Sequence, residues 1–130
     1  MSGWDAYISN LLESSPNMKK AAIISVDDGS VWAQNSEFSA SPEEFKKLAA
    51  SFENINEIPA HGFHLENVKY VVPRVEDNLI FGKFKKTGVF AVKTKMAIVI
   101  GVFEGEEMQV AQDCRTAVEK MGEYLGASGY

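Results

Sequence analysis

The sequence predicts an α/β fold of the α+β type, with one antiparallel sheet bracketed by helices from the two ends of the chain. Three observations predict it. Four strand-like segments follow one another between Val68 and Phe103, with links short enough to favour antiparallel pairing. Segments near each end carry apolar residues at helical spacing. The run Met96-Ala97-Ile98-Val99-Ile100 does not alternate, so its strand should be buried on both faces and helices must cover both sides of the sheet. A chain of 130 residues, 45% hydrophobic, suits one domain with a sizeable core.

Each element has a local reason. Trp4, Tyr7, Ile8, Leu11 and Leu12 share a helical face, Ser2 suits the cap, and Pro16 closes the helix. Ala21 to Val26 and Ser30 to Gln34 read as strands joined by the turn Asp27-Asp28-Gly29. Ser41-Pro42-Glu43-Glu44 opens a helix with a cap, a first-turn proline and early acids, and it continues through Phe45, Leu48, Ala49 and Phe52. Asn54 to Ala60 reads as a loop. The strands Val68 to Val75, Asn78 to Phe84, Val89 to Thr94 and Met96 to Phe103 follow, with turn signals at Asp77-Asn78 and Lys86-Thr87-Gly88. Pro73 cannot donate a ladder hydrogen bond, so its strand should lie at an edge or bulge there. In the last helix Val110, Cys114, Ala117, Val118, Met121 and Leu125 form the apolar stripe, and Gly126 is the expected stop.

Composition narrows the function classes. The longest apolar run, Met96 to Phe103, falls far short of the ~20 residues a membrane span needs. No secretory leader, myristoylation pattern or Asn-x-Ser/Thr site is seen, and the lone Cys114 has no internal disulfide partner, so a cytoplasmic setting is expected. A net charge of −5 argues against nucleic acid as a partner. Nothing recommends an enzyme: no phosphate-binding glycine loop or nucleophile elbow occurs, and Cys114 sits on an apolar stripe. His61 and His64 are spaced like two metal ligands, but no nearby Cys or third His completes a set, so neither metal nor cofactor is expected.

Two patterns remain. Lys69, Arg74, Lys83, Lys85, Lys86, Lys93 and Lys95 face only Glu76 and Asp77 in the same window, which is therefore net +5 in an acidic chain. This is either one face for an acidic partner or a solvated strand face with edge-protecting lysines. Trp4, Tyr7, Trp32, Tyr124 and Tyr130 lie on the terminal elements and the early strand. They either anchor the end helices or, if those helices pack side by side, line a shallow groove. Such a groove suits polyproline, whose extended helix loses little entropy on binding and whose carbonyls accept from indole and phenol donors.

Trp4-x-x-Tyr7-Ile8-x-x-Leu11, Val31-Trp32-Ala33, Val92-Lys93-Thr94-Lys95 and Gly122-Glu123-Tyr124-Leu125 resemble the motifs of the profilin family, in order and across the whole chain. The resemblance implies one profilin-like domain over residues 1–130, with the N- and C-terminal helices on one sheet face and a shorter helix or helices on the other. It implies a proline-peptide site at Trp4, Tyr7, Trp32, Tyr124 and Tyr130, with Asn10 and Leu125 at its margins, recruiting proline-rich proteins such as formin-type factors. It implies a surface for monomeric actin at Arg74, Lys83, Lys93, Thr94, Lys95, Gln112, Arg115, Thr116 and Glu119, through which a monomeric chain would regulate actin polymerisation and nucleotide exchange. Weak phosphatidylinositol 4,5-bisphosphate binding at the seven cations is implied as well. Lys93 stands where many relatives have arginine, and the loop Phe103-Glu104-Gly105-Glu106-Glu107 is acidic beside an acidic partner. The competing reading is a structural scaffold of similar build that does not touch actin.

Overall fold

Residues 4–130 are described by a computed structural model; the cap expected at Ser2 lies outside the described residues. Helix α1 (Trp4–Ser14) leads into strands β1 (Met18–Ser25) and β2 (Val31–Gln34). Helix α2 (Pro42–Ser51), a 3₁₀ segment (Phe52–Glu57) and the short α3 (Ile58–His61) come next. They are followed by β3 (Phe63–Leu65), β4 (Val68–Glu76), β5 (Leu79–Phe84), β6 (Thr87–Lys93), β7 (Ala97–Glu104) and finally α4 (Met108–Ala127). All pairings are antiparallel, in the order β2-β1-β7-β6-β5-β4-β3.

β7 lies centrally, and its first seven residues are buried, as the unbroken apolar run requires. Its odd and even positions feed two separate cores. Ala97, Val99 and Phe103 meet Ile8 and Leu11 of α1 and Cys114, Val118 and Leu125 of α4. Ile98, Ile100 and Val102 meet Phe45 and Leu48 of α2, with Phe52 and Ile58. The terminal helices therefore share one face and the middle helices cover the other. The start of α2 is a complete capping box: Glu44 N–H donates to Ser41 Oγ (3.2 Å) and Ser41 N–H to Glu44 Oε1 (2.8 Å).

The structure corrects three sequence expectations and adds one strand. Asn54 to Ala60 is not a loop but mostly 3₁₀ and α3, because pieces of four to six residues are too short to display a periodic stripe. The three-residue β3 gave no signal for the same reason. The β5–β6 turn is centred on Lys85-Lys86 rather than Lys86-Thr87-Gly88, since Lys85 itself takes the left-handed conformation (φ 54°) that usually favours glycine. Finally, α4 runs through Gly126 to Ala127, and the chain turns at Gly129 (φ 99°) instead.

Candidate functional site

Two irregularities in strand pairing decide which side chains reach the α1/α4 face. In β2, Ala33 pairs with Ile23 and Val31 with Ile24, leaving Trp32 as the extra residue of a bulge. Strict alternation would turn Trp32 away from Ala33, yet both pack with the α1/α4 core. In β4, Val71 pairs with Lys83 and Arg74 with Phe81, so three steps on one strand match two on the other. Val72 and Val75 both point to the α2 side, and the extra residue at Pro73 turns Arg74 onto the face of Phe81 and Lys83. The missing Pro73 N–H falls where the ladder is already broken.

The re-aimed Trp32 completes a ring network. The Trp4 centroid lies 5.2 Å from Tyr7, 5.0 Å from Trp32 and 4.9 Å from Tyr130. Tyr130 is 6.0 Å from Trp32, and Tyr7 is 5.7 Å from Tyr124, mostly edge to face. Leu125 is wholly buried and forms floor rather than rim, whereas Tyr124 is 53% and Tyr130 38% exposed. The Tyr124 hydroxyl beside Tyr7 raises the Tyr7 pKa above its ordinary value. Beyond these two rings the groove continues into a cleft of about 670 Å³ between α1 and α4, lined by Asn10, Ser14, Asp113, Thr116 and Lys120 among others.

Tyr130 is held by main-chain and hydroxyl contacts. Its N–H donates to Leu125 O (2.8 Å), and its carbonyl oxygen accepts from Met96 N–H and from Thr94 Oγ1 (2.8 Å). Thr94 is thus occupied at the β6–β7 turn rather than presented freely.

The residues expected at the actin surface divide into groups. Arg115 ties α4 to the sheet: its Nη2 donates to Glu76 Oε1 (2.7 Å) and its Nε to Glu119 Oε1 (2.8 Å), while Arg74 Nε lies 3.7 Å from Glu76. The guanidinium holds the Glu76 carboxyl below its ordinary pKa, and the two carboxylates raise that of Arg115. Arg74, Lys83, Arg115 and Glu119 therefore belong to one face. Thr116 lines the α1–α4 cleft on the other flank of α4, and Gln112 is exposed on the helix crest. Lys93 pairs with Ile98, a residue of the α2-side core, so it projects from the opposite face of β6 to Val92. Lys95 is exposed in the β6–β7 turn.

The basic window is not one patch. Lys85 and Lys86 occupy one end of β6 and Lys93 and Lys95 the other, about 20–25 Å apart at ~3.4 Å per residue. Lys69 and Lys83 flank the exposed Val71. Cys114 is fully buried, and burial pushes its thiol up to about 12. Among the described residues no group of three or more His, Cys, Asp or Glu side chains is arranged to hold a metal ion.

Comparison with known proteins adds to this geometry. The Profilin family model matches residues 2–130. Profilin-1 of Caenorhabditis elegans is 49% identical, with all of both chains covered. The solved profilin IA of Acanthamoeba castellanii superposes with a TM-score of 0.87 at 34% identity, covering 98% of this chain and all of that one. Two complexes share the fold at 20% identity. One is mouse profilin IIa with a double repeat from the FH1 domain of mDia1 (TM-score 0.78; 99% and 100% covered). The other is LokiProfilin1 with rabbit actin (TM-score 0.76; 98% and 97% covered).

Proposed function

The chain belongs to the profilin family, and from that premise we propose that it binds monomeric actin through the face of β4, β5 and α4 and proline-rich segments through the aromatic groove. The carrying observation is the ring network, which joins positions 4, 7, 32, 124 and 130 on one side of the sheet. Rings that only anchored two helices would be buried. A Tyr124 more than half exposed, beside Tyr7 and an open cleft, serves a ligand better than a core. Flat rings stack on pyrrolidines while indole N–H and phenol O–H groups donate to the peptide carbonyls. Trp4, Tyr7, Trp32, Tyr124 and Tyr130 make this contact, with Asn10 at the rim and Leu125 beneath. Formin-type factors supply such segments, and the mouse relative is solved with one.

Arg74, Lys83, Arg115 and Glu119 form the centre of the actin contact, with Gln112 on the helix crest and Lys95 at the turn. Thr116, on the cleft flank of α4, and Lys93, on the other sheet face, lie at its borders. Complementary charge speeds encounter and fixes orientation more than it sets final affinity. The chain performs no covalent chemistry. It acts by occupancy, and nucleotide exchange on actin follows if it prefers an open-cleft actin to a closed one. Its place is the cytoplasm, where monomeric actin is.

Phosphatidylinositol 4,5-bisphosphate binding is weak and salt-sensitive, because the cations are split between two ends of a strand in an acidic chain. Titration of the chain against monomeric actin and a proline decamer, separately and together, tests the proposal. Simultaneous binding of both is expected. Binding of neither would leave the scaffold reading.

A further inference from the structure

We infer that Thr94 acts as a positioning residue for the aromatic groove, holding Tyr130 in the ring network through its hydroxyl. The inference rests on the reading of the groove as a proline-peptide site. The resemblance to profilins assigns Thr94 to the actin surface, and its hydrogen bonds argue otherwise. The single hydroxyl proton has two acceptors within reach, Tyr130 O at 2.8 Å and Ala97 O at 3.1 Å. Each oxygen also accepts one backbone N–H, Ala97 O from Thr94 and Tyr130 O from Met96, so the shorter hydroxyl contact decides, and it is the one to Tyr130. The hydroxyl oxygen in turn accepts from the buried Ala97 N–H at 3.0 Å, which fixes its lone pairs and aims its O–H.

α4 limits any movement of this hydroxyl. A Cβ added at Gly122 would lie 3.1 Å from Val92 Cγ1 and 3.6 Å from Thr94 Cγ2, so the helix passes directly over the threonine methyl. With the methyl packed beneath α4 and the hydroxyl bonded at the turn, Thr94 has one arrangement. Tyr130 then has its carbonyl fixed by Thr94 and Met96 and its N–H by Leu125, which sets its ring against Trp4 and Trp32. Valine has the same shape without the proton. Serine keeps the proton without the methyl.

The experiment compares the wild type with Thr94→Val and Thr94→Ser, using a proline decamer, monomeric actin and near-ultraviolet circular dichroism. Thr94→Val should weaken decamer binding by about three- to tenfold, the worth of one hydrogen bond, and change the aromatic dichroism. Thr94→Ser should restore both. Actin affinity should stay within about twofold in either variant, well under a tenth of the loss expected for a buried interface pair. Decamer affinity and dichroism both unchanged in Thr94→Val would overturn the inference, as would a loss confined to actin. If Thr94→Val does not fold, amide exchange of wild-type Met96 decides: the decamer should slow it, and an unaltered rate overturns the clamp. If the wild type fails to bind the decamer, the groove reading falls. The clamp is then judged on dichroism alone, loss in Thr94→Val with recovery in Thr94→Ser upholding it and an unchanged signal overturning it.

Discussion

Replacing Trp4 by alanine should abolish most proline-peptide binding while leaving the chain folded and the actin surface intact. Trp4 has three ring neighbours with centroids between 4.9 and 5.2 Å. Each such pair is worth about 0.5–1.5 kcal/mol beyond simple burial, so the groove loses roughly 1.5–4.5 kcal/mol of organisation. Global stability should fall by a similar amount, against a typical reserve of about 5–15 kcal/mol. The peptide separately loses one stacking surface and one indole donor, together about 1–3 kcal/mol, or at least about fivefold in affinity. Trp4→Phe keeps a ring without the donor and should fall between. The assay is a titration with a proline decamer read by tryptophan fluorescence, where Trp32 remains as reporter. Actin affinity of the same variant is the control. A folded Trp4→Ala chain that binds the decamer as tightly as the wild type would refute the assignment of the groove.

Three further outcomes are expected. Arg115→Glu removes two ion pairs and adds a third carboxylate beside Glu76 and Glu119, so actin affinity should drop by at least about tenfold, with slower association; stopped-flow titration checks it, and wild-type association should itself slow with added salt. The Cys114 thiol, pushed up to about 12, should alkylate about a thousandfold slower than an ordinary thiol near pH 8 in the folded chain and at the normal rate in denaturant. Because the unfolded thiol ionises first, its contribution to stability is complete below about pH 8.5 and is lost as pH rises towards 12, which alkaline denaturant titrations of the wild type and Cys114→Ala should reveal. Gly88→Ala would place a Cβ 2.2 Å from the buried Phe103 ring and should cost about 1–3 kcal/mol, seen as a melting temperature lower by roughly 3–15 °C.

The long elements were legible because their burial is periodic. The α4 stripe, the unbroken β7 run and the Ser41 capping box all follow from residue spacing, and each stands within a few residues of its expected bounds. The groove's membership was legible from where the rings fall along the chain, but its geometry was not. Trp32 joins Ala33 on one face only through a bulge, and alternation read from sequence would separate them. Arg74 reaches its face by the same device, which Pro73 foreshadowed as a break in pairing without giving its direction. The actin-side residues were the least legible. Lys93 points away from the face of α4, while Thr94, just past the end of β6, packs its methyl beneath that helix. Nothing in the sequence signals that the Thr94 hydroxyl is spent on Tyr130.

The meeting of Trp4 with Tyr130 also governs when the groove can exist. These two rings are among the most widely separated pairs in the chain, and closing so long a loop carries an entropic cost that local turns do not. During synthesis the groove must wait until Tyr130 has left the ribosome, long after α1 has emerged. A chain not yet extended to Tyr130 can therefore present Trp4 but not the complete ring network. A peptide bound in the proposed groove would bridge α1 and the end of α4 like a reversible cross-link. Bound peptide should then slow amide exchange in the last turn of α4 in proportion to its saturation.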